Sequence, residues 1–174
     1  MKNLRLFSLL FLSIITLSCN KDDDDAIDNT PAQEAAFQAV INGGAYSDYS
    51  YIVGVYNITK GTNGNTLSID IADINGEMIT LFLNGTGGFS AGTIKEMGNI
   101  DSNSFTTYTL IRQQQPQISY FSTSGSATIT NNRQHPTAPG HRLISGHFSI
   151  TASSIDGNNT TAMTGSFTEL DYVD

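Results

Sequence analysis

The chain has 174 residues, eight Lys/Arg against sixteen Asp/Glu, one cysteine and no tryptophan. Such an acidic balance repels phosphate backbones and anionic lipid heads, which disfavours nucleic-acid binding and any membrane attachment through a basic patch. A lone cysteine excludes disulfides within the chain, a Cys-rich zinc site and a CxxC redox pair.

The first 18 residues read as an export signal. Lys2 and Arg5 form a positive start, and Leu6 to Leu17 is apolar apart from Ser8, Ser13 and Thr16. A run of that length falls short of the roughly 20 residues a membrane-spanning helix needs, so a cleaved signal peptide is the better reading. Without Met1 to Ser18, six basic residues face sixteen acidic ones, a net charge of −10.

Cys19 follows at once, and then Lys21, Asp22, Asp23, Asp24 and Asp25. Leu17-Ser18-Cys19 resembles the end of a bacterial lipobox, with Thr16 standing where a leucine is usual. That resemblance implies acylation of Cys19 by several fatty chains such as palmitate, because a single chain holds a protein only reversibly. A lysine followed by acids just after the lipidated cysteine resembles the export tag of Bacteroidetes surface lipoproteins. It implies an outer-membrane protein, lipid-anchored and facing the cell exterior. Residues 19–33 then form an acidic, disordered tether, and residues 34–174 form one domain.

Thr30-Pro31-Ala32-Gln33 has the pattern of a helix start, good for a turn or two. From Phe37 onward the chain reads as strands. Phe37 to Ile41 runs into the turn Asn42-Gly43-Gly44, and Tyr49 to Ile58 follows. Leu67, Ile69 and Ile71 alternate with Ser68, Asp70 and Ala72, the period of a half-buried strand. Asn75-Gly76 turns the chain into Met78 to Asn84. Phe105 to Ile111, Ile118 to Ser122, Ser126 to Thr130, Arg142 to Ala152 and Thr161 to Leu170 complete about nine strands with almost no helix, an all-β antiparallel sandwich or barrel. Tyr49 to Ile58 and Met78 to Leu83 are apolar on both faces and are expected to be covered on both sides. In the strand from Arg142, Gly146 leaves room for a large ring or marks a bulge, and Met163, Gly165 and Phe167 repeat the arrangement.

Three segments, Gly125 to Asn131, Ile144 to Ala152 and Thr164 to Thr168, together with Phe37-Gln38-Ala39-Val40-Ile41-Asn42-Gly43, resemble a family of Bacteroidetes lipoproteins with a domain of unknown function. The resemblance implies a β-rich extracytoplasmic domain behind an acylated cysteine and brings no catalytic residues with it.

Candidate contacts lie in the loop Asn131 to His141, where His135 and His141 sit beside Arg133 and Arg142 in the one locally cationic stretch. A metal site would need two or three converging imidazoles, and a hairpin held by Pro136 and Pro139 explains the same residues, so no metal is assigned. Tyr46, Tyr49, Tyr51 and Tyr56 form a second cluster; Tyr49 and Tyr51 share a face and are candidates for contact with a sugar or a protein. Asp73, Asn75, Gly76 and Glu77 have only part of a calcium-loop pattern, and the run Gly85 to Gly92 lacks the Lys-Ser/Thr ending of a phosphate loop.

No serine elbow, Cys-His pair, HExxH or marked pair of acids occurs. The expectation is therefore a non-enzymatic binding or interaction module without a cofactor beyond the covalent lipid. It would contact an envelope protein, as an accessory subunit of an envelope assembly. The alternatives are a calycin-like carrier of a small apolar ligand, a sugar-binding lipoprotein, and, with least support, a hydrolase using a carboxylate such as Asp70.

Overall fold

The computed structural model of the protein describes residues 30–174. The signal segment, Cys19 and the acidic run Lys21 to Asp25 lie outside the described residues. Nine strands follow one another: β1 (Ala36–Gly43), β2 (Tyr46–Lys60), β3 (Leu67–Asp73), β4 (Met78–Leu83), β5 (Ile94–Glu96), β6 (Tyr108–Gln113), β7 (Ile118–Gln134), β8 (His141–Ser154) and β9 (Thr160–Val173). No helix occurs among the described residues. The helix start expected at Thr30 is replaced by an irregular segment over 30–35, because no amphipathic run follows to continue it and other groups take its carbonyls.

All pairings are antiparallel. The order β2-β1-β9-β8 continues through the β7–β8 ladder to β6, β4, β3 and back to β2, so the sheet closes into a barrel rather than splitting into a sandwich. β5 stands outside this ring order. It pairs with β7 at Ile94↔Thr128, while β6 pairs with β7 at Leu110↔Phe121, so the two short strands lie end to end along one edge of β7.

Alternation decides which side chains enter the barrel. Ile41, Leu67, Ile69, Ile71, Ile79, Leu81, Leu83, Ile111, Ile129 and Met163 point inward and are fully buried. An eight-membered ring is just wide enough for such side chains to fill it. The expectation that β2 and β4 are covered on both faces does not hold, since a barrel covers only one. On the outer side of β2, Ile52 and Val55 are 62% and 68% exposed. On β4, outward Phe82 is half-buried against the rings of Tyr108 and Phe105, with centroids 5.2 and 6.2 Å away.

The β8–β9 seam shows how the interior accommodates its largest rings. Phe148 faces Gly165, and Phe167 lies opposite Gly146. A Cβ on Gly165 would stand 2.5 Å from Phe148 Cζ and 2.2 Å from the Gln38 carbonyl oxygen; one on Gly146 would stand 2.4 Å from Phe167 Cζ. Each glycine thus makes the space for the ring across from it. The register shifts beside Gly146 as well: from Ile144↔Leu170 to Gly146↔Phe167, β9 carries one residue more than β8.

Both barrel ends are filled. The turns at 44–45, 74–77, 114–117 and 155–159 mark the first end, where Tyr46, Tyr49, Tyr51 and Tyr120 cluster with ring centroids 5.5 to 6.4 Å apart. The second end carries the turns 61–66 and 135–140 and the long connection 84–107. There the glycine-rich run after β4 crosses the opening: Phe89 packs against the core, its carbonyl accepts from Asn132 Nδ2 at 2.9 Å, and it shares a groove with Lys60, Arg142 and Tyr172.

Gly165→Ala is expected to lower stability by about 2–3 kcal/mol through overpacking at the seam, measured as a lower midpoint in urea with an unchanged slope.

Candidate functional site

The tyrosines expected as contacts are the seal of the first end. Tyr51 is buried, and its hydroxyl donates to the carbonyls of Ile71 (2.8 Å) and Glu77 (2.7 Å). Tyr49 is half-buried and donates to Asp73, while Tyr46 donates to Glu77 Oε2 at 2.9 Å. Burial first, and then these carboxylates, push the Tyr46 and Tyr49 hydroxyls above their ordinary pKa; burial also raises Tyr51. The partial calcium-loop pattern proves to be this turn. Asp73 Oδ1 accepts from the backbone N–H groups of Asn75 (2.7 Å) and Glu77 (2.9 Å), and Glu77 Oε1 accepts from Gln114 N. Protein donors therefore surround both carboxylates.

At the second end, the cationic loop separates into distinct uses. Arg133 is buried against Glu169, each side chain 8% exposed: Nε donates to Oε1 at 3.0 Å and Nη2 to Oε2 at 2.8 Å. Two more guanidinium hydrogens reach the carbonyls of Thr30 (Nη1, 2.7 Å) and Pro31 (Nη2, 3.3 Å), while Gln33 N donates to Glu169 Oε2 at 3.0 Å. This pair ties segment 30–35 to the outside of the barrel, and it lies along an open groove of about 540 Å³ that also touches His147 and Ser166.

His135 Nδ1 accepts from the backbone N–H groups of Thr137 (3.2 Å) and Ala138 (3.0 Å), which leaves that ring's proton on Nε2 when neutral. His141 Nδ1 bonds the Asp171 carboxylate at 3.0 and 3.1 Å. The two rings meet edge to face at 6.4 Å. His147 lies apart on the outer face of β8 between Thr128 and Ser166. Among the described residues, no group of three or more His, Cys, Asp or Glu is placed to hold a metal ion.

Arg142 is held by one neighbour. Its Nε donates to Asn132 Oδ1 at 2.9 Å and its Nη2 to the Asn132 carbonyl at 2.8 Å; Tyr172 OH also donates to Asn132 Oδ1, at 3.1 Å. The third nitrogen, Nη1, stands 3.6 Å from Asp174 Oδ2, and Lys60 Nζ bonds Asp174 Oδ1. Grooves of about 480 and 290 Å³ flank this meeting point.

Lys60, Asn132 and Asp174 escape a reading of the sequence because they converge from β2, β7 and the residue after β9. Lys95 escapes it too. Lys95 turns inward from β5, 2% exposed, and donates to the carbonyls of Asn84 and Thr86, both at 2.7 Å, with the Phe89 ring 4.3 Å from Nζ. It fastens the run that closes the second end, and burial lowers its pKa to about 8.

No family model matches the chain, and neither a curated protein nor a solved structure matches it.

Two measurements follow from these contacts. Arg133→Ala leaves Glu169 buried without this partner and is expected to cost about 3–5 kcal/mol, with segment 30–35 becoming the first site of limited proteolysis. The second concerns alkali. In the folded chain Lys95 binds its proton less tightly than in the unfolded chain, so stability rises from about pH 8 toward 10.5. Tyr46, Tyr49, Tyr51 and Tyr172 are raised above 10.0, so unfolded tyrosines ionise first and stability falls above that pH. Urea unfolding across this range should show the rise and then the fall, and Lys95→Met should remove the rise alone.

Proposed function

We propose that the protein is an outer-membrane lipoprotein, acylated at Cys19 and facing the cell exterior, that acts without catalysis as an interaction module for another envelope protein. The anchor and address rest on the sequence around Cys19 and on the lysine-acid run after it. The observation that carries the interaction reading is the filled and doubly sealed barrel. With both ends closed by their own side chains, recognition falls to the outer wall and the end loops.

That wall is not uniformly polar. Phe105 and Phe121 are about two-fifths exposed, and by register the half-buried Phe82 and Tyr108 and the buried Leu110 share their outward side in a stripe across β4, β6 and β7. Contiguous apolar surface of this kind favours a protein partner. Phe82 and Tyr108 are stacked on each other with planes 17° apart, so they offer ring edges and not the open face on which a sugar stacks. The same filled interior weighs against a carrier of a small apolar ligand.

The described chain begins at Thr30, tied to the second barrel end, eleven residues after Cys19. An extended tether of that length reaches at most roughly 40 Å, which keeps the barrel close to its anchor while leaving the stripe open to neighbours.

Cys19→Ala is expected to move the protein from the membrane fraction to the soluble fraction; retention in membranes would contradict the anchor. Extraction of the native protein in mild detergent, followed by mass spectrometry, is expected to recover a stoichiometric protein companion that Phe105→Ser with Phe121→Ser releases. Recovery of the protein alone would contradict the interaction reading.

A further inference from the structure

Residues 30–174 contain five basic side chains, Lys60, Lys95, Arg112, Arg133 and Arg142. Lys95 and Arg133 are buried and committed to the second-end closure and the Glu169 pair. Of the three that reach solvent, Lys60 and Arg142 meet at one point. They come from β2 and β8, which are not neighbours in the barrel, and both face the Asp174 carboxylate.

Arg142 is preorganised for this. Asn132 takes its Nε and Nη2, and Asn132 is itself fixed by Phe89 O and Tyr172 OH, so Nη1 is the nitrogen left to face the groove. A guanidinium held this way loses little further freedom when it binds an anion. Thr59, Thr62, Ser90 and Tyr172 are among the residues that line the two grooves that meet here.

Asp174 differs from Glu169 in its setting. The Arg133–Glu169 pair is sealed at 8% exposure on both sides, whereas the Lys60 and Asp174 side chains are 27% and 40% exposed. The Asp174 carboxylate can therefore swing out without exposing core. Lys60 first, and then Arg142, hold its pKa below the usual carboxylate value.

We infer that Lys60 and Arg142 form a cradle for the anionic group of a ligand, a phosphate or carboxylate, and that Asp174 is an internal occupant which such a ligand displaces. The cradle needs neither the lipid anchor nor a protein partner. It lies at the barrel end where segment 30–35 is tied, so the anion has two sources, a lipid headgroup or a soluble molecule. The negative charge of the rest of the protein keeps binding of a simple anion weak and sensitive to salt.

The test is an NMR titration of the mature chain carrying Cys19→Ala with inorganic phosphate, following the Arg142 Nε–H and the Asp174 amide. Weak saturable shifts are expected, and Asp174→Asn should tighten binding by about tenfold, since the internal competitor is lost. Asp171→Asn removes the same charge nearby and is expected to leave affinity within about twofold. Lys60→Met, a partly exposed position, should retain the fold and lose the binding. Flotation with phosphatidylcholine vesicles, with and without phosphatidic acid, separates the sources. Capture by the acidic vesicles assigns the cradle to a headgroup, and phosphate binding without capture assigns it to a soluble ligand. The inference is overturned if phosphate at tens of millimolar shifts neither signal, if Asp174→Asn gives no gain over Asp171→Asn, or if Lys60→Met binds as the parent does.

Discussion

Closing an antiparallel sheet on itself gives every ring strand a neighbour on both edges but leaves two openings and one interior, and the rest of this structure answers that constraint. A closed ring has no edge strand to protect. Its interior must be filled by the inward half of each strand, and the seam between β8 and β9 shows how tightly. Phe148 and Phe167 fit only because Gly165 and Gly146 stand across from them. The openings are closed by different chemistry. Tyrosine hydroxyls and two carboxylates, joined through backbone N–H groups, seal one; a glycine-rich run drawn in by the Lys95 ammonium seals the other. Both seals contain buried polar groups, and in each the donors and acceptors meet within the protein, as low-dielectric surroundings require.

Much of the wall was legible in the sequence, because alternation of apolar and polar residues is a local signal. Leu67 to Asp73 and His141 to Ser154 read as strands almost residue for residue. The errors came where a local signal pointed elsewhere. Ile118 to Ser122 and Ser126 to Thr130 read as two strands, yet β7 runs unbroken through Gly125 between them, with φ near 110° beside a bulge between Ser122 and Ser124. β5 is three residues long and turns a lysine inward, so it carries neither length nor alternation. Thr30-Pro31 had the pattern of a helix start, but Arg133, 103 residues away from Thr30, takes that carbonyl.

The candidate site was less legible for the same reason. Arg133, His135, His141 and Arg142 look alike as polar loop residues, and what separates them is distant in sequence. Glu169 neutralises the first, Asp171 orients the third, and Asn132 fixes the fourth. Tyr49 and Tyr51 do share one face, and that face looks into the barrel end, where Asp73 and the Ile71 and Glu77 carbonyls take their hydroxyls. The surfaces on which both proposals rest, the outward aromatic stripe and the two solvent-reaching cations at the second end, are ones that sequence periodicity treats as background.

The filled and sealed interior is the central claim, and methyl NMR of Ile69, Leu81 and Ile111 in the presence of a medium-chain fatty acid tests it most directly. These side chains line the middle of the barrel and are fully buried. Their signals are predicted to stay unmoved while any binding is confined to outward residues. Saturable shifts of those inward methyls at one equivalent of fatty acid would show a cavity that admits ligand and would contradict the claim.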